Sequence, residues 1–311
     1  MATTNNVVIQ TNNLSKVYPS HKQDIRALDK LNLTVQAGEI FGYLGPNGAG
    51  KTTTIRLLLD LIRPTEGSAA IFGLDAQKHG VNLHQRIGFL PGELSLWKQR
   101  SGLQIVKYLA SVRGNENSCI QHAHQLAERL KLDLALKVRE LSSGNRRKLG
   151  LVTAMMHQPD LLILDEPTSG LDPLMQQTFY QLVREARDAG RTVFLSSHVL
   201  SEVQAICDRV GILRHGQLKA VETLENLTHA EFRWVTVKLR EPAASSLFDN
   251  VPGVSQISLN GDKIRLRLTG DFDPLLRALS DQYVVDLHVQ EPTLEEIFLA
   301  FYGNSEKASE R

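Results

Sequence analysis

The chain has 311 residues, 42% of them hydrophobic and 22% charged, with a net charge of +1. That length suggests about two domains with ample core, and the near-neutral balance gives no bulk electrostatic case for a nucleic-acid or anionic-membrane partner. No apolar run approaches the roughly 20 residues that span a bilayer. MATTNNVVIQ lacks the basic start and long apolar core of a signal peptide, so an intracellular chain that does not itself cross a membrane is expected.

In chain order, VVIQTNNLSKVY (7–18) and LDKLNLTV (28–35) alternate as half-buried strands do. EIFGYL (39–44) is a denser strand running into a Gly-rich loop, and TTTIRLLLDLI (52–62) has helical apolar spacing that stops before Pro64. SAAIFG (68–73) and RIGFLP (86–91) read as short strands, and from about 93 to 157 the pattern is helical. DLLILDEP (160–167) predicts a buried strand, QQTFYQLVREARDAG a helix ending at Gly190, TVFLSSH a strand, VLSEVQAICD a helix, and RVGILRHGQLKAVE a Gly-turned hairpin. This alternation predicts an α/β domain over 1–225, interrupted by a helical subdomain at about 93–157.

Residues 226–311 differ. FRWVTVKLR, a short helix AASSLFDN, VSQISL, an Asn260-Gly261 turn, KIRLRL, a helix PLLRALS and YVVDLHV give β-α-β-β-α-β, the order of a ferredoxin-like α+β module. A final helix opens on the capping box Thr293–Glu296 and carries Leu294, Ile297, Phe298 and Phe301 on one face, a stripe that would dock it on its own module.

GPNGAGKT (45–52) fits G-x-x-x-x-G-K-[ST] between a strand and a helix. Gly45, Pro46, Asn47, Gly48, Ala49 and Gly50 would turn backbone N–H groups toward phosphate at a helix N-terminus. Lys51 would reach the β- and γ-phosphates, Thr52 would hold Mg²⁺, and Thr53 offers a further hydroxyl. LLILDE (161–166) ends an apolar strand in two acids: Asp165 for Mg²⁺ and Glu166 to polarise an attacking water. LSSGNRRK (141–148) has the make-up of a second anion-binding helix start, almost ninety residues later. Its Arg146, Arg147 and Lys148 read either as a solvated face or as extra attraction for phosphate. Cys119 and Cys207 form no motif and read as buried or idle thiols. His122 and His124 stand at i, i+2 and do not share a helix face.

The phosphate loop, LSSGN, LLILDE, SGLD (169–172) and His198 in LSSHVL occur together over about 15–220, and in that order they resemble the ATP-binding subunits of ABC transporters. The resemblance implies ATP and Mg²⁺ as ligands and a head-to-tail homodimer with two ATPs at its interface. It implies that Tyr18 stacks on adenine, that Ser142, Ser143 and Gly144 meet the γ-phosphate held by the partner subunit, that Asp172 links the two sites, and that His198 contacts the γ-phosphate and the water. It implies a separate integral-membrane permease, with the chain peripheral on the cytoplasmic face. The ending EPTLEEIFLAFYG resembles ATPases paired with ABC-2-type permeases, often exporters. Leu94, Leu96 and Trp97 are candidates to receive a permease helix, or else pack the helical insert.

Two departures stand out. Ser143 and Asn145 replace the second glycine and the glutamine of the usual LSGGQ, and Gly92, which offers no Mg²⁺ ligand, stands where the family usually has a glutamine on a loop that senses γ-phosphate, with Glu93 at the next position the candidate substitute. A soluble, non-transport ABC ATPase is the alternative. Such proteins usually carry two cassettes, long coiled-coil inserts or a basic surface.

Overall fold

The computed structural model describes residues 6–19, 23–224, 232–241, 245–248 and 250–290. The chain divides into two compact units, Met1–Leu224 and Glu225–Arg311.

In the first unit an antiparallel sheet is built from β1 (Val7–Tyr18), β2 (Ile25–Leu31), β3 (Thr34–Gln36), β5 (Glu66–Ile71) and β6 (Leu74–Asp75). Its order is β2-β1-β5-β6, with β3 also on β1. The segment 28–35, expected as one strand, is two. The Thr11 hydroxyl donates to Leu31 O and accepts from Leu33 N, so a side chain takes the place of ladder bonds there.

The second sheet has the order β11-β10-β4-β9-β8-β7. It comprises β4 (Ile40–Leu44), β7 (Ile87–Leu90), β8 (Leu161–Asp165), β9 (Thr192–Ser197), β10 (Arg209–Arg214) and β11 (Gln217–Thr223). All its pairings are parallel except the β10–β11 hairpin. β8 and β9 are buried on both faces, which is why they read as continuous apolar runs.

Helix α1 (Lys51–Leu58) follows β4. It ends four residues earlier than the spacing predicts, because Leu59 caps it and Asp60 turns left-handed at φ 54°. Its Ile55, Leu57 and Leu58 share one core with Ile9, Leu14 and Leu28 of the antiparallel sheet and with Tyr43, Ile163 and Phe194 of the parallel one. A short helix α2 (Gly80–Arg86), which the sequence reading passed over, precedes β7.

Between β7 and β8 lie α3 (Gly102–Arg113), α4 (Glu116–Arg129) and α5 (Ser143–Met155). Gly88 of β7 seats α5: a Cβ there would stand 2.1 Å from Ala154 O. Helices α6 (Pro173–Asp188) and α7 (Leu200–Ile206) flank β9, and Val203 and Cys207 press on Gly42 of β4. Cys119 and Cys207 are buried free thiols.

The second unit is a four-stranded antiparallel sheet of β12 (Phe232–Leu239), β13 (Val254–Asn260), β14 (Lys263–Thr269) and β15 (Val284–Gln290), ordered β13-β14-β12-β15. Alternate residues Val235, Val237, Leu239, Ile264, Leu266 and Leu268 point to one face, where Phe248, Leu275 and Leu279 complete a core. Leu275 belongs to α8 (Asp273–Ala278). Where a helix is expected at AASSLFDN, the described residues Ser245–Phe248 form a 3₁₀ turn. The expected final helix from Thr293 lies outside the described residues.

Candidate functional site

Strands β4, β8 and β9 are neighbours and parallel. Their carboxyl ends therefore deliver the Gly-rich loop, Asp165-Glu166 and Ser197-His198 to one edge of the sheet, the usual place for a ligand in such folds.

The loop is fixed from three sides. Gly45 N donates to Ser197 O at 3.3 Å, and Gly216 N, in the two-residue turn of the β10–β11 hairpin, donates to Ala49 O at 2.9 Å. That turn places both His215 and Gly216 at positive φ, 49° and 74°, the backbone a tight hairpin of this length prefers. Gly50, at φ 111°, lies so close to β2 that a Cβ would meet Ala27 O at 2.5 Å. No side chain fits there.

Lys51 is 6% exposed. Its ammonium donates to Gly45 O at 2.6 Å and to Pro46 O at 3.3 Å, and pairs with Glu166 Oε1 at 3.2 Å. The other oxygen of Glu166, Oε2, lies 2.7 Å from His198 Nδ1. Beside this pair, Thr52 Oγ1 donates to Asp165 Oδ2 at 2.9 Å, and Ser196 Oγ donates to Asp165 Oδ1. Asp165 is buried, whereas Thr52 is exposed. Thus five residues singled out in the sequence, Lys51, Thr52, Asp165, Glu166 and His198, form one contiguous polar cluster.

Other expected residues stand elsewhere. Tyr18 ends β1 opposite Ile25, half-exposed, with Lys16 Nζ 5.2 Å from its ring centroid. Ser142 is the N-cap of α5, its hydroxyl accepting from Asn145 N at 3.2 Å. Gly144 abuts the backbone of Gly170: a Cβ would sit 2.7 Å from Gly170 O. Asp172 caps α6, accepting from Met175 N at 3.0 Å. Among the described residues, Ser142, Ser143 and Gly144 make no hydrogen bond to the phosphate loop of their own chain. Gly92 lies beside the acid cluster: a Cβ would stand 3.0 Å from Asp165 Oδ2. Glu93 is exposed.

The reading of 146–148 as a solvated face is overturned for Arg147 and Lys148, which are 4% and 9% exposed, while Arg146 is half-buried. The Arg147 guanidinium donates to the carbonyls of Pro91 (2.7 Å), Gly92 (3.0 Å) and Pro167 (3.3 Å), and to those of Asp165 and Glu166. Burial lowers its pKa, and the carboxylates of Asp165 and Glu166 act in the opposite sense. Glu202 of α7 was also missed. Its carboxylate accepts from Thr168 Oγ1 and, at 2.7 Å, from Ser197 Oγ, tying the loop after β8 to the end of β9. Nothing in local sequence pattern marks either residue, since Arg147 and the Thr168 bond of Glu202 join segments 18 or more residues apart in the chain.

The family model described as "ABC transporter" matches residues 28–169. The bacitracin transport ATP-binding protein BcrA of Bacillus licheniformis is 36% identical over 238 residues, 75% of this chain and 76% of that protein. The Nod factor export ATP-binding protein I of Cupriavidus metallidurans is 30% identical over 300 residues, covering 95% of this chain and 97% of the relative, and so extends through the second unit. Among solved structures, an ATP-binding subunit of an ABC transporter is 26% identical with a TM-score of 0.65, over 71% of this chain and 91% of that one. A bacterial ABC transporter cassette solved as a dimer shares the fold, with a TM-score of 0.65 at 24% identity over 70% and 98% of the two chains. The chain belongs to the ABC transporter family, as an ATP-binding subunit that hydrolyses ATP for transport.

Proposed function

We propose that the cluster at the ends of β4, β8 and β9 is the triphosphate end of the ATP site, and that each residue has the following part. Gly45–Thr53 cradle the phosphates with backbone N–H groups and the start of α1. Thr52 and Asp165 offer the hard oxygen ligands that Mg²⁺ takes. The fit is supported by their 2.9 Å approach and by the absence of any side chain at Gly92, which leaves one side of the Asp165 carboxylate uncrowded. When bound, Mg²⁺ neutralises charge on the phosphate oxygens.

The observation that carries this reading is the Glu166 carboxylate held between Lys51 and His198. Three acceptors, Gly45 O, Pro46 O and Glu166 Oε1, use all three ammonium hydrogens of Lys51. Phosphate oxygens entering the loop would compete for that ammonium. Lys51 turning to phosphate leaves Glu166 free to orient and deprotonate the attacking water, while His198 faces the γ-phosphate. Such catalysis is mainly positioning and electrostatics. Tyr18 would stack on adenine.

Ser142, Ser143 and Gly144 would serve the ATP of a second copy of this chain, with Asp172 linking the two sites. Their lack of bonds to the phosphate loop in their own chain supports that reading, as does the dimeric cassette of the same fold. The chain would couple a homodimer to an integral-membrane permease of the ABC-2 type. Residues 1–225 would act as the cassette, with its helical subdomain at about 93–157, and 226–311 as an accessory module. No described helix is long and apolar enough to cross a membrane, so attachment to the cytoplasmic face would run through the permease. Export is supported by relatives named for Nod factor export and for multidrug transport. For the second unit, the order β13-β14-β12-β15 with all neighbours antiparallel supports a ferredoxin-like module.

Equilibrium binding of ATP separates the roles. Lys51→Ala is expected to weaken ATP binding by roughly tenfold or more, the loss of about one charged hydrogen bond. Glu166→Gln is expected to bind ATP as well as wild type. Equal affinity for Lys51→Ala and wild type would remove Lys51 from the phosphate site.

A further inference from the structure

We propose that Arg147 is a positioning residue for ATP hydrolysis, fastening the helix that begins at Ser142 to the backbone of both acids, Asp165 and Glu166. The inference rests on the ATPase reading above and extends it to a residue outside the phosphate cluster.

A guanidinium has five N–H donors in a rigid planar fork. All five are matched here by carbonyl oxygens, and these come from two separate segments: Pro91 and Gly92 after β7, and Asp165, Glu166 and Pro167 at the end of β8 and just beyond it. The side chain is 4% exposed, and its ligands are main-chain oxygens rather than a carboxylate. A buried arginine usually pairs with an acid. This one instead spends its directionality on the peptide units that set where two carboxylates point.

Glu166 needs such support, because its backbone is left-handed at φ 51°. Its N–H is held by Ser196 and its C=O by Arg147. The arginine rides on α5, five residues past the N-cap Ser142. Movement of α5 relative to the parallel sheet would therefore be felt directly at the acids.

Lysine at this position keeps the charge but has at most three donors and no planar fork. We expect Arg147→Lys to lower the kcat for ATP at least tenfold. KM should stay within threefold of wild type, and the affinity for a fluorescent trinitrophenyl-ATP within twofold. Arg147→Met, which leaves all five carbonyls without the guanidinium, should lose at least as much turnover and also melt at a lower temperature. Turnover of Arg147→Lys within twofold of wild type would overturn the proposal. So would a parallel loss of turnover and nucleotide affinity in Arg147→Lys, which would make the side chain part of the general architecture. A wild-type chain without ATP turnover would instead refute the underlying reading, so the two failures are distinguishable.

Discussion

Glu166 shows how much the site asks of one residue. A non-glycine residue at φ 51° occupies a sparsely populated region, and such strain persists only where the surroundings over-determine it. Here both backbone polar groups and both carboxylate oxygens are taken. The signature stretch is clarified at the same scale. Ser143 is exposed in the first turn of α5, with helical backbone, so nothing local demands glycine there. Gly144 is different, because Gly170 O leaves no room for a Cβ.

His157 illustrates a purely structural residue. Its Nε2 bonds Ile87 O at 3.2 Å, and its Nδ1 is buried with no hydrogen-bond partner. Burial first, then the nearby Arg113 charge, pushes its pKa down to about 4. The unfolded imidazole titrates near 6.5. Stability from keeping this ring neutral is therefore complete above pH 6.5 and is lost as pH falls toward 4. Denaturant titrations at pH 7 and pH 5 should show wild type losing about 1–2 kcal/mol more than His157→Gln. Parallel losses in the two proteins would show that this histidine does not carry the acid sensitivity.

Elements were legible where one physical pattern ruled. β8 and β9, buried on both faces, announced themselves as apolar runs, and the acids and histidine at their ends followed. Legibility failed where tertiary bonds competed with local pattern. The Thr11 hydroxyl split 28–35, the left-handed Asp60 cut α1 short, and α2 had too few residues to show a period. The burial of Arg147 was not legible because three consecutive basic residues fit a solvated face or a phosphate-attracting one, and only the packing of α5 against the ends of β7 and β8 shows its main-chain partners.

In the segment before α3, two of the residues singled out differ in exposure. Leu94 packs on Gly150 of α5, while Trp97 is 53% exposed and meets Tyr108, itself exposed, edge-on at 5.0 Å. Trp97 is thus exposed, and we propose it as the aromatic anchor for a permease helix. In vesicles carrying the permease, Trp97→Ala should reduce the permease-dependent stimulation of ATPase severalfold and leave basal turnover of the isolated subunit within twofold. Equal loss of both would assign Trp97 to folding.

At the scale of the whole molecule, LSSGN is proposed to serve the ATP of a second copy. A two-fold symmetric pair would build two equivalent composite sites. Lys51→Ala homodimers and Ser142→Arg homodimers would each lack any intact site, whereas their heterodimer keeps one. An equimolar mixture of the two inactive chains should therefore regain turnover, about a quarter of wild type if subunits exchange freely and sites act independently. A mixture as inactive as its components would mean that each chain works with its own signature. Chain-level order was readable because the motifs carry fixed spacings. The proposed assembly rests on resemblance, since Ser142, Ser143 and Gly144 make no hydrogen bond to the phosphate loop within one chain.

The most direct test of the central claim follows Glu166→Gln in ATP and Mg²⁺, with turnover and mass in solution measured on the same sample. The substitution keeps the side chain's size and removes the charge proposed to activate water. The account predicts turnover reduced at least a hundredfold, as for loss of a general base, with retained ATP and a shift from monomer to dimer mass. Wild-type turnover by Glu166→Gln would contradict it.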